Sequence, residues 1–304
     1  MISSLTSRLY GTPFLLLTLT ALMWAANAIF GQLAVGQITP FLLVFLRWAI
    51  VAVVMWALFG REVLSYWPQI KPRFGSIVLM ATLGFTAFNA LFYLASHETS
   101  AINIGILQGS IPVFVLLGAL LFQATRITLL QIFGVALTLG GVVLVTSGGD
   151  LQTLLNLALN RGDVLMLIAC ALYAFYTLAL KNRPLMPGRA FFTLLTLIAA
   201  LTALPLVLYE AVQPGFYPPS ALGWVVTLAV ALFPSCLAQL FFMRGVDLIG
   251  PGRAGVFVNL VPIFAALMAV VFLGQAFQWY HAAALLLVLG GIWVAQRATS
   301  GKTA

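Results

Sequence analysis

The sequence predicts an all-α polytopic membrane protein, with ten transmembrane helices arranged as two inverted five-helix repeats. Three observations carry that prediction. The 304 residues are 63% hydrophobic and 7% charged, with a mean hydropathy of +1.12, whereas a soluble domain carries about 25% charge. Ten apolar stretches recur along the chain, each near the roughly 20 residues a helix needs to cross a hydrocarbon core about 30 Å thick. Finally, residues 88–145 reappear without a gap, at a constant offset of 150, as residues 238–295.

The repeat aligns residue by residue. Phe92, Gly105, Pro112, Phe114 and Phe122 fall on Phe242, Gly255, Pro262, Phe264 and Phe272, and Leu137, Leu139, Gly140 and Gly141 on Leu287, Leu289, Gly290 and Gly291. Both copies are almost wholly apolar, which excludes a soluble solenoid and leaves a duplicated membrane protein.

In order, the stretches lie at 12–35, 39–60, 74–95, 100–122, 128–147, 162–180, 190–209, 221–243, 252–273 and 278–297. They leave short connections and no room for a soluble catalytic domain. The first half is expected at 1–148 and the second at 161–304, joined by an outer linker at 149–160. Arg8 before the first apolar run, and Ala25–Ala26–Asn27–Ala28 within it, resemble a secretory leader. That run is too long for a leader and has a counterpart in the second half, so it is read as a span. Cys170 and Cys236 both fall inside spans, far from any C-x-x-C spacing, and are read as inert core thiols.

The net charge of +8 would suggest nucleic acid in a soluble protein. Here its distribution reports topology. With the N-terminus in the cytoplasm, the inner segments collect Arg8, Arg61, Lys71, Arg73, Arg126, Lys181, Arg183, Arg189, Arg244, Arg253, Arg297 and Lys302. The outer segments hold only Arg161, with Glu98, Asp150 and Glu210. Twelve of the fourteen basic residues on one side is a positive-inside pattern. Both termini are expected in the cytoplasm, and five spans per half force the halves into opposite orientation. A bacterial inner membrane is the expected location.

Several motifs in register resemble the EamA family of the drug/metabolite transporter superfamily, over nearly the whole chain. Ala21–Leu22–Met23–Trp24–Ala25 is similar to that family's opening helix, and Pro40–Phe41 with Leu46–Arg47–Trp48 to its second, which typically carries an arginine. Ile111–Pro112–Val113–Phe114 resembles the fourth, Gln131–Ile132–Phe133–Gly134 through Gly140–Gly141 the fifth, and Arg161–Gly162–Asp163 with Ala171–Leu172–Tyr173 the sixth. Family members commonly carry a glutamate after the fourth and ninth helices, where this chain has Thr125 and Gln275. The resemblance implies export or exchange of small metabolites, often amino acids. Nucleotide-sugar and other organic-solute carriers belong to the same superfamily, and the fold does not decide the cargo.

The residues supply their own candidates. A polar group in hydrocarbon needs a partner or a wet cavity. Arg47, about two turns into the second span, is the most costly, at about +2.5 to +3.5 kcal/mol on insertion scales. One reading aims its guanidinium at an anionic group of a solute. The other ties it to backbone carbonyls or to Glu98 as structural glue. Thr20, Trp24, Asn27 and Gly31 share one arc of the first helix at helical spacing. Tyr173, with Tyr176 and Thr177, is the sixth-helix counterpart. Thr82, Thr86, Asn89 and Tyr93 line one face of the third helix, and the repeat sets Gln239 opposite Asn89. Stripes from these helices suit a shared cavity or interhelical hydrogen bonds, the latter worth about 0.6 kcal/mol each. The candidate substrate-binding set is therefore Trp24, Asn27, Arg47, Asn89, Tyr93, Tyr173 and Gln239. Asn103 and Ser110 share another face, with Gln108 pointing elsewhere, and Asn259 is polar in the ninth helix.

Pro112 and Pro262, mid-span, predict matching kinks. Gly134, Thr138 and Gly141, with Gly290 and Gly291, predict close helix packing or a contact with a second copy in a homodimer. His97 and His281 are read as interfacial. No Asp or Glu falls mid-span, which argues against tight proton coupling and against lipophilic-cation export. Asp163, nearest to a span interior, is expected to pair with Arg161 or cap the sixth helix. An intramembrane enzyme needs a nucleophile with a base, paired aspartates or a metal set. Gly148–Gly149–Asp150 lies in a turn without a second buried aspartate, so an enzyme is not expected. The expected partners are a small-molecule substrate and the lipid bilayer, without cofactor, metal or nucleic acid.

Overall fold

The computed structural model describes residues 11–123, 128–150 and 160–300. Arg8, Thr125, Arg126, Lys302 and most of the expected linker lie outside them. Among the described residues ten helices are long and apolar enough to cross a membrane: α1 Pro13–Ala34, α2 Pro40–Ser65, α3 Trp67–Ser96, α4 Ala101–Phe122, α5 Leu129–Thr146, α6 Arg161–Asn182, α7 Gly188–Ala211, α8 Ala221–Ile249, α9 Arg253–Leu273 and α10 Trp279–Gln296. The fold is all-helical, as the composition and the ten apolar stretches required. Large apolar side chains remain exposed on the outer faces, among them Leu121 at 75%, Leu129 at 85% and Leu286 at 76%. A surface of that kind is stable only against lipid.

Local sequence sets the helix starts. Pro13 and Pro40 open α1 and α2, where a missing N–H costs nothing. Ser100, Asn160 and Ser220 accept from first-turn N–H groups of α4, α6 and α8, and Thr128 with Gln131 forms a capping box on α5. The α2 and α8 helices run past their expected ends, to Ser65 and Ile249, and α3 begins early through a short 3-10 turn at Lys71–Arg73. Charged and polar residues at those ends dilute the apolar signal without stopping the helix.

The packing repeats the pseudo-symmetry of the sequence. α1 packs on α8 and α9, while its counterpart α6 packs on α3 and α4. α2 pairs with α7, α5 with α10, and α4 crosses α9. The α5–α10 pair absorbs the small residues: a Cβ on Gly134 would lie 2.5 Å from the Gly291 carbonyl, and one on Gly141 would lie 2.9 Å from the Ala284 carbonyl. Gly140 and Gly290, by contrast, face open space.

Neither broken pair of helices is regular. α4 and α9 are interrupted at Gly109–Ser110 and Asn259–Leu260, just before Pro112 and Pro262. α3 and α8 each contain a π turn, Thr82–Ala87 and Ala231–Leu237, again about 150 residues apart. The four irregularities lie together near the middle of the fold. Irregular backbone at that depth is tolerated where it lines a cavity.

Candidate functional site

Pro234 is the local origin of the site. Lacking an N–H, it cannot donate to the Val230 carbonyl four residues back, and its ring forces that turn open. The Ser235 hydroxyl donates to that carbonyl instead, at 2.7 Å. Its oxygen is then aimed at α2, where it accepts from Arg47 Nε at 3.0 Å and Nη2 at 2.7 Å. On the opposite side Asn89 donates its amide to the Phe85 carbonyl at 2.6 Å, which turns its Oδ1 towards Arg47 Nη1, also at 2.6 Å. Nη1 donates further to Tyr93 Oη at 2.6 Å and, at 3.4 Å, to Asn27 Oδ1. Tyr93 in turn donates to Asn27 at 2.9 Å.

Arg47 is 3% exposed. Its guanidinium carbon lies 4.8 Å from the Trp48 ring centroid and 5.7 Å from that of Tyr93. Every hydrogen-bond partner it has among the described residues is neutral. Among those residues it bonds neither backbone carbonyls nor Glu98, which pairs with Arg161 at 3.4 Å. A buried cation held by neutral acceptors keeps its full positive charge, so the site remains attractive to an anion.

That charge borders a cavity of about 160 Å³. Trp24, Asn27, Arg47, Asn89, Tyr173 and Gln239 all line it, from five different helices. Tyr93 does not; at 1% exposure it stands behind Arg47 and orients it. Trp48, Phe85, Phe88 and Phe192 complete an aromatic wall, and Ser235 and Gln108 add polar groups. Gln108, just before the α4 break, and Asn259, within the α9 break, face the cavity, whereas Asn103 and Ser110 do not line it. The stripes of α1 and α3 are thus split. Thr20 donates to the Leu16 and Ala238 carbonyls, and Gly31 is pressed against Phe92 and Ser96. Thr86 turns away to Ala199 and Thr202 on α7. A π turn adds a residue to the circuit, so a face counted at 100° per residue does not survive it.

Ser235, Trp48 and Phe192 were missed by the sequence reading. Ser235 had one signal, a proline beside it in mid-span. Trp48 and Phe192 had none that separates a cavity wall from lipid-facing aromatics.

Asp163 departs from both expected roles. Arg161 pairs with Glu98, and Asn160 caps α6, its Oδ1 accepting from Gly162 N at 2.7 Å. Asp163, 1% exposed, instead accepts from Thr99 Oγ1 at 2.5 Å and from Asn103 Nδ2 at 3.3 Å. His281 stands in the first turn of α10, 4% exposed, and its Nδ1 accepts from Gln278 N.

The two ends of the molecule differ. At the end carrying Glu98, Asp163 and Glu210, hydrogen bonds cross between helices. Gln32 donates to the Ser96 and Thr99 carbonyls, Gln275 accepts from Ile102 N, and the Glu210 carboxylate caps α2 through Phe41 N and Leu42 N. The end carrying Arg183, Arg189 and Arg244 opens into a vestibule of about 640 Å³. Phe192 and Gln239 line both spaces, so the vestibule and the central cavity adjoin at those two side chains.

Comparisons agree with this architecture. The model of the EamA-like transporter family matches residues 12–147 and again 160–296. An uncharacterized transporter of Archaeoglobus fulgidus is 28% identical over 290 residues, covering 92% of this chain and 96% of its own. The uncharacterized transporter YetK of Bacillus subtilis is 26% identical over 271 residues, covering 88% of this chain and 82% of its own. A crystal structure, at 20% identity, superposes with a TM-score of 0.65 over 95% of this chain and 98% of that one, a likeness of fold.

Proposed function

Because the chain belongs to the EamA-like transporter family, we propose that it exports or exchanges a small carboxylated metabolite, an amino acid or close relative, by alternating access. The observation that carries this reading is Arg47: a buried guanidinium, satisfied by neutral acceptors, at the wall of an aromatic cavity. A carboxylate entering the cavity meets an uncompensated cation, and its apolar portion meets Trp24, Phe88 and Tyr173. Asn27, Asn89 and Gln239 supply the donors and acceptors for an amino group. One cation suits one carboxylate. A nucleotide sugar would bring two phosphates to a cavity wall that offers one cation.

The transporter is proposed to lie in the bacterial inner membrane with both termini cytoplasmic. The basic vestibule then faces the cytoplasm, and the arrangement is an inward-open one. Counterflow in proteoliposomes tests the cargo. Internal amino acids should accelerate uptake of a labelled one, while the matching amines, which lack the carboxylate, should not. Acceleration by nucleotide sugars, or by amines as strongly as by amino acids, refutes the reading.

A further inference from the structure

Gly105 and Gly255 are repeat counterparts, 150 residues apart, yet their surroundings are opposite. At the acidic end α4 and α9 cross so closely that a Cβ on Gly105 would overlap the Cβ of Ala265 and lie 3.7 Å from the Pro262 carbonyl. A Cβ on Gly255, towards the basic end, would meet nothing within 4 Å. The helical segments behave likewise. Ala101–Gln108 packs on Val261–Leu273, whereas among the described residues Ile111–Gln123 and Pro251–Val258 have no comparable contact. Gly255 has ordinary helical surroundings and no positive φ. Neither a turn nor present packing gives its lack of a side chain a use, and glycine weakens a helix interior.

Such an asymmetry between identical positions is what one of two states of an inverted duplication contains. Exchanging the conformations of the two halves turns the opening from one side to the other. Under that exchange the crossing of Gly105 on Ala265 becomes one of Gly255 on Val115, because Val115 stands 150 residues before Ala265. We infer that Gly255 is the closing point of the basic-end gate: in the alternate state it seats against Val115 of α4 and seals the vestibule, while Gly105 parts from Ala265. This rests on the alternating-access reading above and deepens it. Hydrogen as the side chain is what permits two helices to approach that closely. Val115 is bulkier than Ala265, so the basic-end crossing is the looser of the two, and the open vestibule is the resting arrangement.

The test needs no knowledge of the cargo. In protein with Cys170 and Cys236 replaced by alanine, Ala101→Cys reports on the acidic-end crossing. Ala101 is fully buried there, one turn before Gly105 on the same face. A membrane-impermeant maleimide is applied in turn to each face of the membrane, and the labelling rate is read alongside the melting temperature. Gly255→Leu fits the open space seen here, so insertion and melting should be unchanged, but labelling should slow about tenfold as the alternate state loses its seat. Val115→Ala, which makes that seat match the acidic-end one, should accelerate labelling. Gly105→Leu, which blocks the acidic-end crossing, should accelerate it too. If labelling responds to Gly105→Leu but to neither Gly255→Leu nor Val115→Ala, the gate assignment is overturned and alternating access stands. If it responds to none of the three, both fall.

Discussion

Replacing Arg47 by glutamine removes the cation while keeping a polar side chain that reaches part of the way to Ser235 and Asn89. Two effects must be separated. The folded protein loses the bonds to Ser235 Oγ, Asn89 Oδ1 and Tyr93 Oη. It also no longer buries a cation without a counter-ion, and the two changes oppose each other. Ser235 and Tyr93 keep their own donor bonds to Val230 and Asn27, so neither hydroxyl is left without a partner. The melting temperature is therefore expected to stay within a few degrees of the parent. Solute binding has no such compensation. One charge-assisted hydrogen bond is worth about 1.5–3 kcal/mol, which at about 1.4 kcal/mol per decade corresponds to about a 10- to 150-fold rise in KM for a carboxylated solute. Asn89→Ala should cost far less, about threefold, if a membrane hydrogen bond is worth about 0.6 kcal/mol. Arg47→Lys keeps the charge but not the fork that reaches Ser235 and Asn89 together, and should fall between. The assay is concentration-dependent counterflow in proteoliposomes, with reconstituted protein quantified and its melting measured. If carboxylate transport by Arg47→Gln is intact, the guanidinium does not bind the solute. If melting collapses, its role is structural.

Three further outcomes are expected. Cysteines at Gln37, Gln213 and Gln275 should label from outside the cell and one at Gln69 from inside, with the C-terminus cytoplasmic; an external C-terminus refutes the orientation. Downhill exchange should proceed without a pH gradient, because among the described residues no carboxylate is bonded to Arg47 or lines the central cavity; strict dependence on a proton gradient, with accumulation above equilibrium, contradicts this. Gly134→Leu should destabilise the protein by about 1–3 kcal/mol or more, since its Cβ would lie 2.5 Å from the Gly291 carbonyl. Gly140→Leu, in open space, should leave melting unchanged, and equal losses in the two variants would show that the α5–α10 crossing is not what Gly134 serves.

What the chain alone determined was the part of the fold that answers to solvent. The ten spans follow from apolar length, because a bilayer imposes one thickness on every helix. The duplication is visible as a constant offset from Phe92 to Gly291, and Arg47 stands out because a charge in hydrocarbon is costly wherever it points. Asn27, Asn89 and Tyr173 were readable for a related reason: polar groups repeated at helical spacing in an apolar helix must face something wet or paired. What the tertiary structure decided was which polar groups meet. Thr86 and Asn89 shared a face by counting, yet a π turn sends Thr86 to α7 and leaves Asn89 on Arg47. Ser235 became a partner of Arg47 only because Pro234 frees the Val230 carbonyl that orients it. Asp163 left its neighbour Arg161 for Thr99 and Asn103 because α6 docks against the start of α4, at the acidic end. Periodicity follows the local chain, whereas a cavity wall is assembled from residues as far apart in the chain as Trp24 and Ile292, and only their packing sets which side chains share it.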